Sequence, residues 1–341
     1  MFTDEMPPTP AIQKVRPYSR SSDPHCISRT PVKHTDGSSS ILRQVFYVAS
    51  GMKPRKALAF FLRTLLAPRS TLQWLRFLND FAAQHTLASP HDDLVQKNLF
   101  FFLVYRMPRR SRLNILTEHF DLARQLLDPH MLRTLWIGGS IGLGTVCGRD
   151  HQYCLQLLLS DHCGTQHEGV FTVRLVRAVD QALLCKASFV FVRRPCDSYS
   201  LIVGGLQGAA HETAKRTVIS ATRDLGGLRP KDAIMLFLRG VLAHTHSTTT
   251  HLIAVSNSSH VINYRVSRDR RKKLPDMDAY WRERGGLAFP PFGFQIPLDP
   301  MINDGSGSRR SNAKIAFWNI GSNLIVRRGH DHRISSAFGA A

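Results

Sequence analysis

Asn257 and His260 stand three residues apart, directly after the apolar run Leu252-Ile253-Ala254-Val255. A side chain at a strand end projects into a crevice, where an imidazole titrating near neutral pH can serve as general base. The Asn257 amide can orient a substrate amide or a water there. The competing reading is a polar turn, with Ser256, Asn257, Ser258 and Ser259 bonding to their own backbone. Cys147, His151, Cys154, His162, Cys163 and His167 gather metal-ligating types within a short stretch. Their spacing fits no standard zinc site, and Cys154 falls inside an alternating run, so no metal is expected. His244, His246 and His251, in a Thr-rich stretch, are weaker still as ligands. A Ser-His-Asp hydrolase is not expected: Gly138-Gly139-Ser140-Ile141-Gly142 has the letters of G-x-S-x-G but stands where a helical stretch gives way to a strand-like one, not at the strand-to-helix turn of a nucleophile elbow.

Charge narrows the partners. Lys and Arg number 45 against 25 Asp and Glu, a net charge of +20, with a pI near 10.4. That balance favours anionic partners: nucleic acid, acidic lipid or a phosphorylated ligand. The run Arg265, Arg268, Arg270, Arg271, Lys272, Lys273 can meet phosphates or simply be a solvated loop. It lacks aromatic interleaving and any nucleic-acid motif, so sequence-specific nucleic-acid binding is not expected. The six cysteines form no CxxC pair, which fits reduced thiols. No secretory signal and no apolar run long enough to span a bilayer is found, so the expected location is cytoplasmic.

The elements that must position these residues follow from periodicity. Residues 1–45, rich in Pro and Ser, read as a disordered arm. Residues 50–135 read as a helical module. Leu58, Phe61, Leu62, Leu65 and Leu66 mark one amphipathic helix, ending before Pro68. Ser70-Thr71 can cap a second, lined by Leu72, Leu75, Leu78 and Phe81. A third follows Pro108, with Leu116, His119 and Phe120 on its apolar side and Arg109, Arg110 and Arg112 on its solvated side. From residue 136 the period becomes strand-like, with strands expected over 153–159, 169–176 and 187–192 in an antiparallel meander. A fourth strand, from Tyr199, breaks at Gly204-Gly205-Leu206-Gln207-Gly208. A helical layer runs from His211 to about Ala243, punctuated at residues 226–230, and a fifth strand covers 252–255. A short helix around Tyr280 closes at Gly285-Gly286, and a late strand covers 292–298. Residues 303–341 read as a divergent, flexible tail.

Four ordered stretches carry a resemblance: Gly204-Gly205-Leu206-Gln207-Gly208, Gly227-Leu228-Arg229-Pro230-Lys231, Ala254-Val255-Ser256-Asn257-Ser258-Ser259-His260-Val261 and Tyr280-Trp281-Arg282-Glu283-Arg284-Gly285-Gly286. Together they resemble the VirK/YbjX family, a domain of unknown function in Gram-negative bacteria. Arg112 to Phe120 and Glu168-Gly169 also fit its pattern, so the resemblance covers residues 55–300. It implies a role in virulence, envelope integrity and resistance to cationic antimicrobial peptides.

The element order also resembles the acyl-CoA N-acyltransferase (GNAT-like) architecture, in which a cofactor pyrophosphate sits at the start of the helix after the fourth strand. That likeness implies an acyl-CoA or acyl carrier protein donor, held at Gly205, Gln207, Gly208 and Ala209, and an amine or hydroxyl acceptor served by Asn257 and His260. Acyltransferases of this fold often carry a tyrosine acid where Tyr280 stands; a core Tyr-Trp pair is the alternative. The expected fold class is α+β: an N-terminal helical module, then a mixed, mainly antiparallel acyltransferase-like sheet with flanking helices over residues 136–302. The expected function is a VirK/YbjX-like protein working by acyl transfer. The alternative is a non-catalytic module that binds a regulatory partner or the anionic surface of the inner membrane.

Overall fold

The computed structural model describes residues 45–46, 48–52, 54–99, 101–195, 198–209, 213–243, 250–264, 276–298 and 307–325. The run Arg265 to Lys273, together with His244 and His246, lies outside them. One eight-stranded sheet organises the molecule, in the order β1-β2-β3-β4-β5-β6-β8-β7. Its strands are β1 (Ile141–Cys147), β2 (Gln152–Leu159), β3 (Phe171–Arg177), β4 (Leu183–Arg193), β5 (Tyr199–Gly208), β6 (Leu252–Val255), β7 (Leu287–Phe289) and β8 (Gly293–Ile296). All neighbours are antiparallel except β5 and β6. The helical layer between β5 and β6 carries the chain back over the sheet, which makes that one pair parallel.

Nine helices are described: α1 (Pro54–Leu66), α2 (Pro68–Gln84), α3 (Asp92–Gln96), α4 (Arg109–Leu126), α5 (Pro129–Trp136), α6 (Ala214–Asp224), α7 (Pro230–Val241), α8 (Met277–Arg282) and α9 (Arg309–Ser322). The residues from Ala187 to Val192 are all buried, so both faces of β4 are covered. Helices α4 and α7 pack against it. His119 on α4 fits edge-on against Phe171 and stacks on Phe191, while its Nδ1 accepts the Phe191 N–H at 3.0 Å. Trp74, Phe81, Phe120 and Trp136 then join α2, α4 and α5 to the same core. Lys97 and Asp161, both deeply buried, bind the helical layer to the sheet through a 2.6 Å ion pair.

Several sequence expectations change. The leucines of α1 face outward: Phe60 and Thr64 are its buried residues, whereas Leu58, Leu62, Leu65 and Leu66 are exposed. Helix α2 starts earlier than expected, with Pro68 in its first turn, and the Ser70 and Thr71 hydroxyls donate to the Ala67 carbonyl. Arg112 is buried rather than solvated, donating to the carbonyls of Asn98 and Met107, and burial lowers its pKa to about 10. Strands β1 and β7 carry glycine or little apolar alternation and were not legible. The supposed glycine break lies inside β5, which continues to Gly208. Part of the supposed flexible tail is α9, which packs on α7 because Gly240 and Gly321 let the backbones meet. A Cβ at Gly321 would lie 2.0 Å from the Phe237 carbonyl oxygen, and one at Gly240 2.2 Å from that of Trp318.

Candidate functional site

The site is built where β5 and β6 part. Leu201, Ile202 and Val203 pair with Leu252, Ile253 and Ala254, and there the parallel ladder ends. Beyond it β5 stays with β4 alone, and its register shifts so that Gly204 is an extra residue between Val203 and Gly205. A bulge of this kind bends its strand and sharpens the twist, which carries β5 away from β6. The segment Phe102–Tyr105 crosses the gap. The Leu103 N–H donates to His167 O at 2.8 Å, the Tyr105 N–H to Ser259 O at 2.8 Å, and Val104 bridges to His260. Leu103 and Arg106 hold φ values of 56° and 61°, a conformation that side-chain-bearing residues adopt at a cost of order 1 kcal/mol each.

Glu168 lies beneath this segment and is 7% exposed. Its main-chain oxygen rests on Gly204 and its carboxylate on Gly205, places that a Cβ at either glycine would occupy. Oε1 accepts Gln207 Nε2 at 2.6 Å and faces His260 Nε2 at 3.5 Å. Oε2 is buried without a hydrogen-bond partner among the described residues. His260 Nδ1 accepts the Ile262 N–H at 3.2 Å, so a neutral ring carries its hydrogen on Nε2, towards Glu168. The arrangement is a carboxylate–imidazole pair in a largely buried seam.

Of the residues singled out by sequence, Gly205, Gln207 and His260 converge on Glu168. Gly208 faces open space, while the Ala209 N–H is already bonded to Leu184 O at 3.2 Å. Asn257 is held by its backbone: its N–H donates to Asp278 Oδ1 at 2.7 Å and its carbonyl accepts Asn263 Nδ2 at 2.9 Å. Ser256 Oγ accepts the Ser259 N–H at 3.1 Å, so side chains do shape the turn. Tyr280 belongs to a separate cluster. Its hydroxyl donates to Asp232 Oδ1 at 2.8 Å, where Arg284 Nε also binds at 2.8 Å, and the Arg284 guanidinium lies 3.4 Å over the ring. Burial, then the charge of Asp232, pushes this phenol far above its ordinary range. Glu168 is the member that sequence reasoning used only as a family marker; an acid just before a glycine and a strand was its one signal.

The Cys and His residues of 147–167 do not converge. Among the described residues one ligand-type group does form, His91, Asp93 and His162. Asp93 Oδ2 lies 3.4 Å from His91 Nδ1 and 3.6 Å from His162 Nε2, and Oδ1 takes Lys56 Nζ at 3.2 Å. His91 Nδ1 already accepts the Asp93 N–H, so the lone pair a cation would need caps α3 instead. Burial, and secondarily His91, lowers the pKa of His162.

Comparison with known proteins agrees with the four ordered stretches. The family described as "Protein of unknown function (DUF535)" matches residues 50–307, and the chain belongs to it. The chain is 25% identical over 240 residues to the uncharacterized protein YbjX of Escherichia coli K12, covering 70% of this chain and 71% of that one. It is 24% identical over 260 residues to an uncharacterized protein of Haemophilus influenzae, covering 75% and 84% respectively. No solved structure matches. Among the described residues, no helix is long and apolar enough to cross a membrane.

Proposed function

We propose that the chain transfers an acyl group from an acyl thioester, acyl-CoA or acyl carrier protein, to an amine or hydroxyl acceptor of the cell envelope. One observation carries this reading: a parallel strand pair that parts after three residues, with a buried carboxylate and an imidazole in the opening. The sheet supports it: an antiparallel meander leads into one parallel pair that parts, with the helical layer between its two strands, the element order on which the acyltransferase resemblance rests. Phosphates of the donor would meet the start of α6, which lacks a side-chain cap and carries Lys215 and Arg216 in its first turn. Gly208, with open space over its backbone, would border the pantetheine arm.

In the reaction the acceptor nitrogen or oxygen attacks the thioester carbonyl. A new C–N or C–O bond forms, the C–S bond breaks, and the acceptor proton passes to the Glu168 carboxylate, held by the His260 Nε2–H at its other oxygen, before returning to the thiolate. Asn257 would align the acceptor. Tyr280 would hold Asp232 and with it α8 behind the turn. The Phe102–Arg106 segment must lift for the acyl chain to enter, and its two left-handed residues make that displacement less costly. Calorimetry of the full chain with acyl-CoA and with acyl-loaded carrier protein tests the reading. Binding to one of them, retained in Glu168→Gln while turnover falls by about 10²-fold or more, is expected; binding to neither would overturn it.

A further inference from the structure

Helix α1 turns its apolar side to water. Leu58, Leu62, Leu65 and Leu66 are 63%, 55%, 66% and 72% exposed. At about 100° per residue they fall within an arc of about 100° on the side away from Phe60 and Thr64. Phe46, also exposed, packs edge-on against Phe61 at 5.0 Å and extends the surface. An apolar cavity of about 310 Å³, lined by Phe46, Ala49, Ala57, Leu58 and Phe61, continues it. A contiguous leucine surface on a protein of this composition marks a place of contact rather than scattered exposure.

The charge on the helix itself is of one sign, and its Lys56 pairs with Asp93. No Asp or Glu occurs from Pro54 to Leu66, and neither α1 nor α2 has an acidic residue in its first turn. Arg55 is exposed at the start of α1 and Arg69 just beyond its end. Arg109 donates through Nη1 to Leu66 O at 2.7 Å, which fixes a guanidinium beside Leu65 and Leu66, and Arg110 is exposed next to it. A helix of 13 residues is about 20 Å long and cannot cross a bilayer, but it can lie in the interface. Leucines below and arginines around the rim match acyl chains below and anionic head groups around them. An apolar patch made for another protein has no need of a rim so uniformly cationic.

We propose that α1 docks leucine face down on an anionic phospholipid bilayer, with Arg55, Arg69 and Arg109 contacting the head groups. The Arg109 bond also joins this surface to α4, whose chain leads directly out of the strained Phe102–Arg106 segment over the Glu168 seam. Docking would therefore present the candidate site to the membrane surface.

Co-sedimentation of the full chain with vesicles tests the proposal. Binding is expected to vesicles containing phosphatidylglycerol and not to those of phosphatidylcholine alone, and to weaken by about tenfold as salt screens the rim. Leu58→Ser with Leu62→Ser is expected to reduce partitioning by about tenfold or more per leucine, with unfolding by urea unchanged because these side chains are already exposed. Leu62→Trp should show a blue-shifted emission on vesicle addition and quenching by bromine-labelled acyl chains. Failure of the unaltered chain to bind anionic vesicles would overturn the proposal, as would undiminished binding of the double serine variant. A dimer that the serine substitutions dissociate, without vesicle binding, would instead assign the face to a second copy of this chain.

Discussion

Gly205→Ala tests the packing that places the Glu168 carboxylate. The added methyl would stand 1.9 Å from Glu168 Oε2 and 2.4 Å from its Cδ, whereas ordinary contact begins at 3.4 Å. The carboxylate must retreat by about 1.5 Å, in a place where the residue is 7% exposed. Overpacking of this kind costs about 1–3 kcal/mol, and loss of the 2.6 Å bond from Gln207 about 1.5–3 more. The narrower unfolded ensemble of alanine returns about 0.5–1 kcal/mol. A net loss of about 1.5–5.5 kcal/mol is expected in urea unfolding followed by tryptophan fluorescence.

A double-mutant cycle separates this cause from general damage to β5. Glu168→Ala removes the atoms with which the methyl added by Gly205→Ala would collide, so the second substitution should cost close to nothing in that background. The coupling should then equal the net loss of the single Gly205→Ala variant, in favour of the pair. Gly204→Ala supplies the control: its methyl would meet the main-chain oxygen of Glu168 at 1.9 Å, which Glu168→Ala retains, so its coupling should stay within about 0.5 kcal/mol. A Gly205→Ala variant as stable as the parent, or equal coupling at both glycines, would refute the placement.

Acid should destabilise the fold through His119, whose pKa burial pushes down to about 3 from an ordinary 6.5. The folded ring stays neutral while the unfolded one takes a proton, so this stability is present above about pH 6.5 and is lost towards pH 3 at about 1.4 kcal/mol per unit; His119→Asn should flatten the slope in urea titrations at several pH values. Gly321→Ala should cost about 2 kcal/mol or more by forcing α9 off Phe237, seen as lowered urea resistance and faster proteolysis between α8 and α9. Tyr280→Phe should cost about 1 kcal/mol of stability through Asp232 and leave transfer within a fewfold. A drop in transfer of about 10² or more would instead make Tyr280 the proton donor.

Much of the fold follows from local patterns. The alternation of β2, β3 and β4 and the short connections between them state an antiparallel meander, and the glycine and proline around residues 226–230 divide α6 from α7. Strand β1, Ile141-Gly142-Leu143-Gly144-Thr145-Val146-Cys147, was not legible because its glycines contribute no side chain to alternate. The facing of α1 was not legible either. Periodicity fixes that a helix has an apolar side, but not whether that side meets a core or something outside the chain. Its five leucine and phenylalanine positions would read the same in both cases, and only the burial of Phe60 and Thr64 on the other side distinguishes them.

The site was legible in part for a related reason. Residues bound to their own neighbours in sequence announce themselves: the Ser256–His260 turn and the glycines of β5 stand out as short motifs. What makes them a site comes from 39 and 92 residues away, where Gln207 and His260 meet the single oxygen Oε1 of Glu168, and from the left-handed pair Leu103 and Arg106. No local rule assigns positive φ to a leucine or an arginine; it persists only where surrounding structure overrides the local cost. Gly204 and Gly205 show the consequence most clearly. By sequence they resemble a phosphate loop, which needs glycine so that an anion can approach the backbone. Here an anion does approach Gly205, but it is the carboxylate of the chain's own Glu168, and the main-chain oxygen of the same residue approaches Gly204. The same absence of a Cβ serves a cofactor phosphate and a buried carboxylate alike, so sequence by itself does not separate the two. What distinguishes the two is whether the carboxylate is held in place by a second group, and Gln207, donating to Oε1 from two residues beyond Gly205, is that group.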